Sequence, residues 1–160
     1  MMVSYSVLMQ YETTYQSPLG PLHLRCNGTH ITELSFSTKN ENLPKEHTVL
    51  DEACLQLNEY FQGNRKVFEL PLLIEGTPFQ KQVYDALLSI PYGQTTSYEA
   101  IACKIGNPKA CRAVGMANNR NRIALLVPCH RVVGKNGSLV GYAGGLDKKE
   151  WLLAFERNNC

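Results

Sequence analysis

Between Ile123 and Val133 the sequence reads Ile-Ala-Leu-Leu-Val-Pro-Cys-His-Arg-Val-Val, an apolar run broken in its middle by Pro128-Cys129-His130-Arg131. Proline removes a ladder hydrogen bond, and His next to Arg brings two polar heads, so the chain must leave regular pairing here. A cysteine held at such a break beside a histidine has the parts of a thiolate nucleophile with an adjacent base. Surrounding positive charge is expected to lower its thiol pKa. A buried structural cysteine beside a satisfied core histidine is the reading that a lone Cys-His pair leaves open.

The charge around this break is one-sided. Residues 1–99 hold 6 Lys/Arg against 11 Asp/Glu, whereas residues 100–146 hold seven basic residues (Lys104, Lys109, Arg112, Arg120, Arg122, Arg131, Lys135) and no acid, inside a chain whose net charge is only +2. A block with only positive side chains fits a polyanion, with a solvated basic face as the alternative. The six cysteines (26, 54, 103, 111, 129, 160) show no paired short spacing and no Cys-x-x-Cys. They are expected to be mostly free thiols, five of them small buried hydrophobes, with at most one or two of the six chemically employed. Residues 1–10 lack a basic opening and an unbroken apolar run, so neither a signal peptide nor a membrane span is expected, and the protein is placed inside the cell.

The elements that must position these residues read as follows. Tyr11 to Gln16, Leu22 to Cys26 and Ile31 to Phe36 form strands joined by turns at Ser17-Pro18-Leu19-Gly20 and Asn27-Gly28. Val49 to Gln62 is an amphipathic helix with Thr48 and Asp51 as a capping pair and Gly63 as its stop. A short strand is expected around Val67 to Leu70, and residues 71–76 read as a connection. Thr77-Pro78-Phe79-Gln80 starts a helix that runs to about Ser89. Thr96 or Ser97 caps a short helix from Tyr98 to Ile105, stopped by Gly106; Asn107-Pro108 then opens another, Lys109 to about Asn118. Two short helices joined in this way have the form of a helix-turn-helix. The second carries Ala110, Ala113, Gly115 and Ala117, with only Lys109 and Arg112 as long polar groups, so it fits a duplex by shape and does not read bases.

The run Pro128-Cys129-His130-Arg131-Val132-Val133 resembles the active-site signature of the O6-alkylguanine-DNA alkyltransferases. The resemblance extends through Tyr98, Gly106-Asn107-Pro108, Arg112-Ala113-Val114-Gly115 and Asn121, and onward through Tyr142-Ala143-Gly144-Gly145, Lys149-Glu150-Trp151-Leu152-Leu153 and Glu156. It covers about residues 77–156 without an insertion. It implies an α/β (α+β) chain, with a small ribonuclease-H-like N-terminal lobe and connecting segment over residues 1–76. A mainly helical catalytic lobe with a helix-turn-helix follows over residues 77–160.

The resemblance further implies DNA repair by irreversible transfer of an alkyl group from O6 of guanine to Cys129, one transfer per molecule. His130 would be the base, relayed to Cys129 through a water, and Glu156 would orient it. Tyr98 would donate a proton to guanine N3, and Asn121 would brace the site. Arg112 would fill the gap left by a flipped nucleotide, with Lys109, Ala110, Ala113 and Gly115 against the DNA. Val132, Tyr142, Ala143 and Gly144 would line the base pocket. The expected partner is double-stranded DNA carrying the lesion, met by a monomer; neither a cofactor, a metal nor a membrane is expected. His23, Cys26, His30, His47 and Cys54 stand at spacings too irregular for zinc. The chain departs from the family where Arg122 follows Asn121 in place of a proline, and where Ala143 stands in place of a serine.

Three other readings remain on the residues alone. A lesion-binding protein without transfer chemistry would lack the cysteine, a repressor would carry base-reading side chains after Asn107, and a thiol hydrolase would turn over.

Overall fold

A computed structural model describes residues 9–160, so residues 1–8 of the opening stretch read for a leader lie outside the described residues. No helix among the described residues is long and apolar enough to cross a membrane. The chain divides into two compact units, Met1–Leu73 and Ile74–Cys160.

The first unit holds an antiparallel sheet of β1 (Tyr11–Ser17), β2 (Gly20–Cys26) and β3 (Ile31–Ser35), in that order. The pairing places Thr13 opposite Leu24, and Leu24 opposite Leu34. Leu22, Leu24, Cys26, Ile31 and Leu34 are buried with Leu50, Ala53, Leu57 and Tyr60 of helix α1 (Thr48–Phe61), the core that the apolar spacing called for. Two local expectations are corrected here. The cap of α1 is His47, whose Nδ1 accepts the amide of Val49 at 3.1 Å, while Thr48 already lies inside the helix. Residues 67–70 form no strand: the side chain of Gln56 takes both backbone groups of Glu69, at 2.8 and 3.2 Å, and so occupies the groups that a strand would pair. The extra pairing falls at Leu72, which bridges Ile31 in parallel.

The second unit is built from helices α2 (Pro78–Leu88), α3 (Tyr98–Lys104), α4 (Cys111–Asn119) and α5 (Leu146–Asn158). Thr77 and Gln80 close a reciprocal capping box with Pro78 in the first turn, as their spacing predicts. Helix α3 ends where Gly106, at φ +79, lets its own amide reach Cys103 O and that of Asn107 reach Ala102 O, at 3.0 and 2.9 Å. This positive-φ stop makes the sharp turn between α3 and α4, which pack together and against α2. Helix α4 starts later than expected. The amide of Ala110 donates to Asn107 O, so Asn107 to Ala110 forms a turn, and the helix begins at Cys111 without a side-chain cap. The molecule is therefore a mixed α/β chain, with a small sheet lobe followed by a helical lobe.

The expectation of five buried structural cysteines also fails. Cys26 and Cys129 are buried, Cys54 is half-buried, and Cys103, Cys111 and Cys160 are exposed; all six are free thiols.

Candidate active site

The break at Pro128 is a single 3-10 turn, Cys129–Arg131, entered by the bond from Cys129 N to Val127 O at 2.7 Å. It leads into β5 (Val132–Val133), which pairs in parallel with β4 (Thr96–Ser97), the two residues directly before Tyr98. Sequence reasoning did not anticipate this pairing. It sets the first residue of α3 beside the Cys129–Arg131 turn, although Tyr98 and Cys129 are 31 positions apart.

Two asparagines, Asn118 in the last turn of α4 and Asn121 just beyond it, hold the turn and the loop before it. Asn121 Nδ2 donates to Val127 O at 2.9 Å, and its Oδ1 accepts the amide of Ile123 at 3.0 Å, so the loop is braced with Arg122 in the place where the resemblance expects a proline. The same side chain works to lower the Cys129 thiol pKa. Asn118, fully buried, donates to the carbonyl of Cys129 at 3.2 Å.

His130 is wholly inaccessible, and its Nε2 lies 2.8 Å from Glu156 Oε2. A carboxylate can only accept, so Nε2 carries the proton and Nδ1 presents its lone pair; Nδ1 has no hydrogen-bond partner in the protein. Arg131 closes the other side of the carboxylate, with Nε on Oε1 at 2.8 Å and Nη2 on Oε2 at 3.0 Å, while its Nη1 donates to Ile90 O at 2.8 Å. Burial works to raise the Glu156 pKa, but the bonds and charges of His130 and Arg131 outweigh it and leave the carboxyl ionised. Burial lowers the His130 pKa against the pull of Glu156, and Arg131 and Lys149 push it the same way as burial does.

The expected lowering of the Cys129 pKa is overturned: the thiol is pushed up to about 11. The acid-free block of sequence suggested a positive setting, but α5 brings Glu156 back onto Arg131 and cancels that charge. Removal from water then dominates, and the contributions of Asn121 and Lys149 only moderate it.

On the other side of Cys129, the phenol of Tyr98 donates to Val140 O at 2.8 Å. The same carbonyl accepts Lys149 Nζ at 2.9 Å, and Lys149 also reaches Gly141 O at 3.1 Å and the Tyr98 hydroxyl at 3.5 Å. Burial lowers the pKa of Lys149 to about 8, against the opposing influence of Cys129. Burial raises the Tyr98 phenol, with a further upward push from Cys129 that marks the two groups as neighbours. Tyr142 is also driven well above the usual tyrosine range by burial and then by Cys129 and Glu156. Val132 is buried, Gly144 half-buried and Ala143 exposed, and the amide of Gly145 donates to Tyr142 O at 3.0 Å just before α5.

On α4, Arg112 and Ala113 are exposed, and Val114, Ala117 and Asn118 are buried. Gly115 faces Tyr98, where an added Cβ would meet Cδ1 of the ring at 3.9 Å. Lys109 and Ala110 lie in the turn before the helix.

Three residues that hold this site together were given no individual role by the sequence reading: Arg131, Lys149 and Asn118. A signal existed for one of them. Lys149 and Glu156 are seven apart, two helical turns on one face, and both are fully buried. In the first unit, His23 lies between Glu12 and Glu33, at 2.8 and 3.1 Å, and among the described residues no group of three or more His, Cys, Asp or Glu is arranged to hold a metal ion.

Residues 78–158 match the model of "6-O-methylguanine DNA methyltransferase, DNA binding domain", and residues 10–74 that of "6-O-methylguanine DNA methyltransferase, ribonuclease-like domain". The chain is 48% identical over 155 residues to the methylated-DNA--protein-cysteine methyltransferase of Methanosarcina barkeri, covering 93% of this chain and 98% of that one. It is 48% identical over 159 residues to the constitutive enzyme of that name from Bacillus subtilis, covering 93% and 96%. The crystal structure of Mycobacterium tuberculosis OGT in complex with DNA superposes with a TM-score of 0.87 at 44% identity, covering 94% of each chain.

Proposed function

The chain belongs to the 6-O-methylguanine DNA methyltransferase family, and we propose that it repairs DNA by taking the alkyl group of an O6-alkylguanine onto Sγ of Cys129, once per molecule. The carrying observation is the buried pair of His130 and Glu156 at 2.8 Å, with the free lone pair of Nδ1 in the same turn as Cys129.

Attack on a saturated alkyl carbon favours a soft thiolate. In the free protein the Cys129 proton is held tightly, so a base must take it when the substrate is in place. His130 Nδ1 accepts that proton, through a bridging water, while Glu156 fixes the ring. The bond between the alkyl carbon and O6 breaks as the bond between sulfur and that carbon forms. The guanine departs with the electron pair and takes a proton at N3 from the phenol of Tyr98. The resulting thioether offers water no carbonyl to attack, so the sulfur stays alkylated.

DNA is the partner that the basic block and the domain match support. The lesion form of that DNA and a monomeric protein are part of this proposal. A base inside the stack is out of reach of a buried sulfur, so the nucleotide is flipped out and Arg112, exposed on α4, fills its place. Lys109, Ala110, Ala113 and Gly115 belong to the same DNA-facing segment, and phosphate contacts give affinity that falls with salt. Val132, Tyr142, Ala143 and Gly144 form the pocket for the flipped base, which takes O6-alkylguanine and leaves O4-alkylthymine as a second candidate. No cofactor enters this chemistry. The protein works beside DNA, in the cytoplasm or, in a cell that has one, in the nucleus.

The test is the intact-protein mass before and after incubation with a duplex carrying one O6-methylguanine, followed by peptide mapping. A gain of one methylene on Cys129, stopping at one per molecule, is expected. An unchanged mass with tight binding to lesion DNA would make the protein a lesion sensor without transfer chemistry.

A further inference from the structure

We infer that Arg131 is a positioning residue for the transfer: by forking onto Glu156 it keeps His130 uncharged at rest, and so keeps Nδ1 available as a base. The inference rests on the reading of His130 as the base for Cys129.

The geometry sets a charge count. Glu156 is 1% exposed and carries one negative charge, and the guanidinium meets both of its oxygens, at 2.8 and 3.0 Å. Such a fork is the strong, directional form of a carboxylate pair. It neutralises the carboxylate before the imidazole is considered. A proton added to His130 would then be a surplus positive charge in a closed site, where an uncompensated charge is costly. The titratable groups around His130 are Glu156 and Lys149 of α5, Arg131 and Cys129 of its own turn, and the phenols of Tyr92 and Tyr142 near Glu156. Lys149 adds a second positive charge, and both phenols are held neutral by burial. One new negative charge can balance an imidazolium here, that of the Cys129 thiolate. The proton therefore moves from sulfur to Nδ1 without changing the charge of the site, and His130 is unloaded until that step.

Arg131 is itself held from outside the pair. Its Nη1 bonds Ile90 O at 2.8 Å, and its guanidinium lies 5.7 Å from the Tyr92 ring centroid. The fork thus has a fixed origin. Without it, Glu156 would be a buried carboxylate with the imidazole as its neighbour and would draw a proton onto the ring at rest. The base would be spent before substrate arrives.

The test is the single-turnover rate of transfer from an O6-methylguanine duplex as a function of pH, for the wild type, Arg131→Met and Arg131→Lys. Loss of a cation at this distance shifts a neighbouring group by about one to three pH units. The acid limb of the Arg131→Met profile is expected to move up by at least one unit, giving about a tenfold loss below the limb that closes as the pH is raised. Arg131→Lys, which keeps the charge but not the fork, should fall between. A profile lowered evenly with an unmoved limb, accompanied by a lower Tm, is what a merely structural arginine would give and would overturn the inference.

Should Arg131→Met fail to fold, nitrogen-15 NMR of His130 in the wild type decides. A neutral ring with its proton on Nε2 at pH 7 is expected, and an imidazolium at rest would overturn the inference. The base reading is tested apart by His130→Gln. An acid limb that survives this change refutes the base reading and the inference with it. A limb that vanishes in His130→Gln but stays in place in both Arg131 variants refutes the inference alone.

Discussion

Asn118, at the buried end of α4, donates through Nδ2 to the backbone carbonyl of Cys129 at 3.2 Å. The helix that carries Arg112 near its start is thereby tied at its end to the residue that carries the nucleophile. The Cys129 carbonyl also accepts the amide of Val132, so it keeps a partner when Asn118 is lost. Asn118→Ala should therefore lower the unfolding free energy by about 1 kcal/mol, the net worth of one hydrogen bond. It should also slow transfer several-fold with little change in DNA affinity. Denaturant unfolding and single-turnover kinetics measure the two effects, and a normal rate would show that the link does not position the sulfur.

Small thiol reagents should find Cys129 only after the exposed cysteines. Cys103, Cys111 and Cys160 are exposed, whereas Cys129 is buried with its thiol pKa raised to about 11. Peptide mapping after brief iodoacetamide treatment at pH 8 should show these three modified first. The raised pKa also fixes a sign. Between about 9 and 11 the unfolded thiol ionises and the folded one does not, so the contribution of this group to stability is fully present below pH 9 and is lost as the pH climbs through that window. Comparing Tm against pH for the wild type and Cys129→Ser isolates the effect; parallel curves would contradict it.

Tyr98→Phe should slow transfer by about 10²–10⁴, the range of a lost general acid, with lesion binding little changed. Stability should change by under about 1 kcal/mol, because Lys149 still satisfies Val140 O at 2.9 Å. A Tyr98→Phe protein that transferred at the wild-type rate would remove the phenol from the mechanism.

Arg112→Ala should weaken base flipping. The side chain is exposed on α4, so folding should be untouched and the cost should appear in repair of duplex far more than of single-stranded substrate. Equal losses on the two substrates would contradict the role assigned to it.

In the first unit, Glu12 is buried, and burial alone would raise its carboxyl. The amides of Leu43 and Glu41, His23 and Lys45 together outweigh this and hold it at about 2, below the ordinary 4.5. The folded pKa is depressed, so the stability it contributes is fully present above pH 4.5 and drains away as the pH falls toward 2. Glu12→Gln should lower Tm at pH 6 and flatten the acid side of the curve, as differential scanning calorimetry would show.

Much of this was legible in the residues because it depends on local rules. The capping box at Thr77 and Gln80, the stops at Gly63 and Gly106, and the three strands β1 to β3 are decided within a few positions, and the structure repeats them. One error fell where a group 13 residues away competed for the backbone: Gln56 took the amide and carbonyl of Glu69 that a strand would have paired. The other was local, with His47 capping α1 one residue ahead of Thr48.

The sequence by itself determined where the buried run must break, because a proline, a thiol, an imidazole and a guanidinium in succession cannot continue a buried strand. It also determined that the positive charge lies in one block of the chain. Only the tertiary structure decided what that charge does. Glu156, 27 residues beyond Cys129, returns on α5 to pair with Arg131 and His130, and β4 pairs with β5 to bring Tyr98 alongside. Charge counted along a chain gives no distances, whereas a pKa is set by what lies within a few ångströms and by how much water is excluded. For that reason the thiol that looked acidic in sequence is held protonated in the fold.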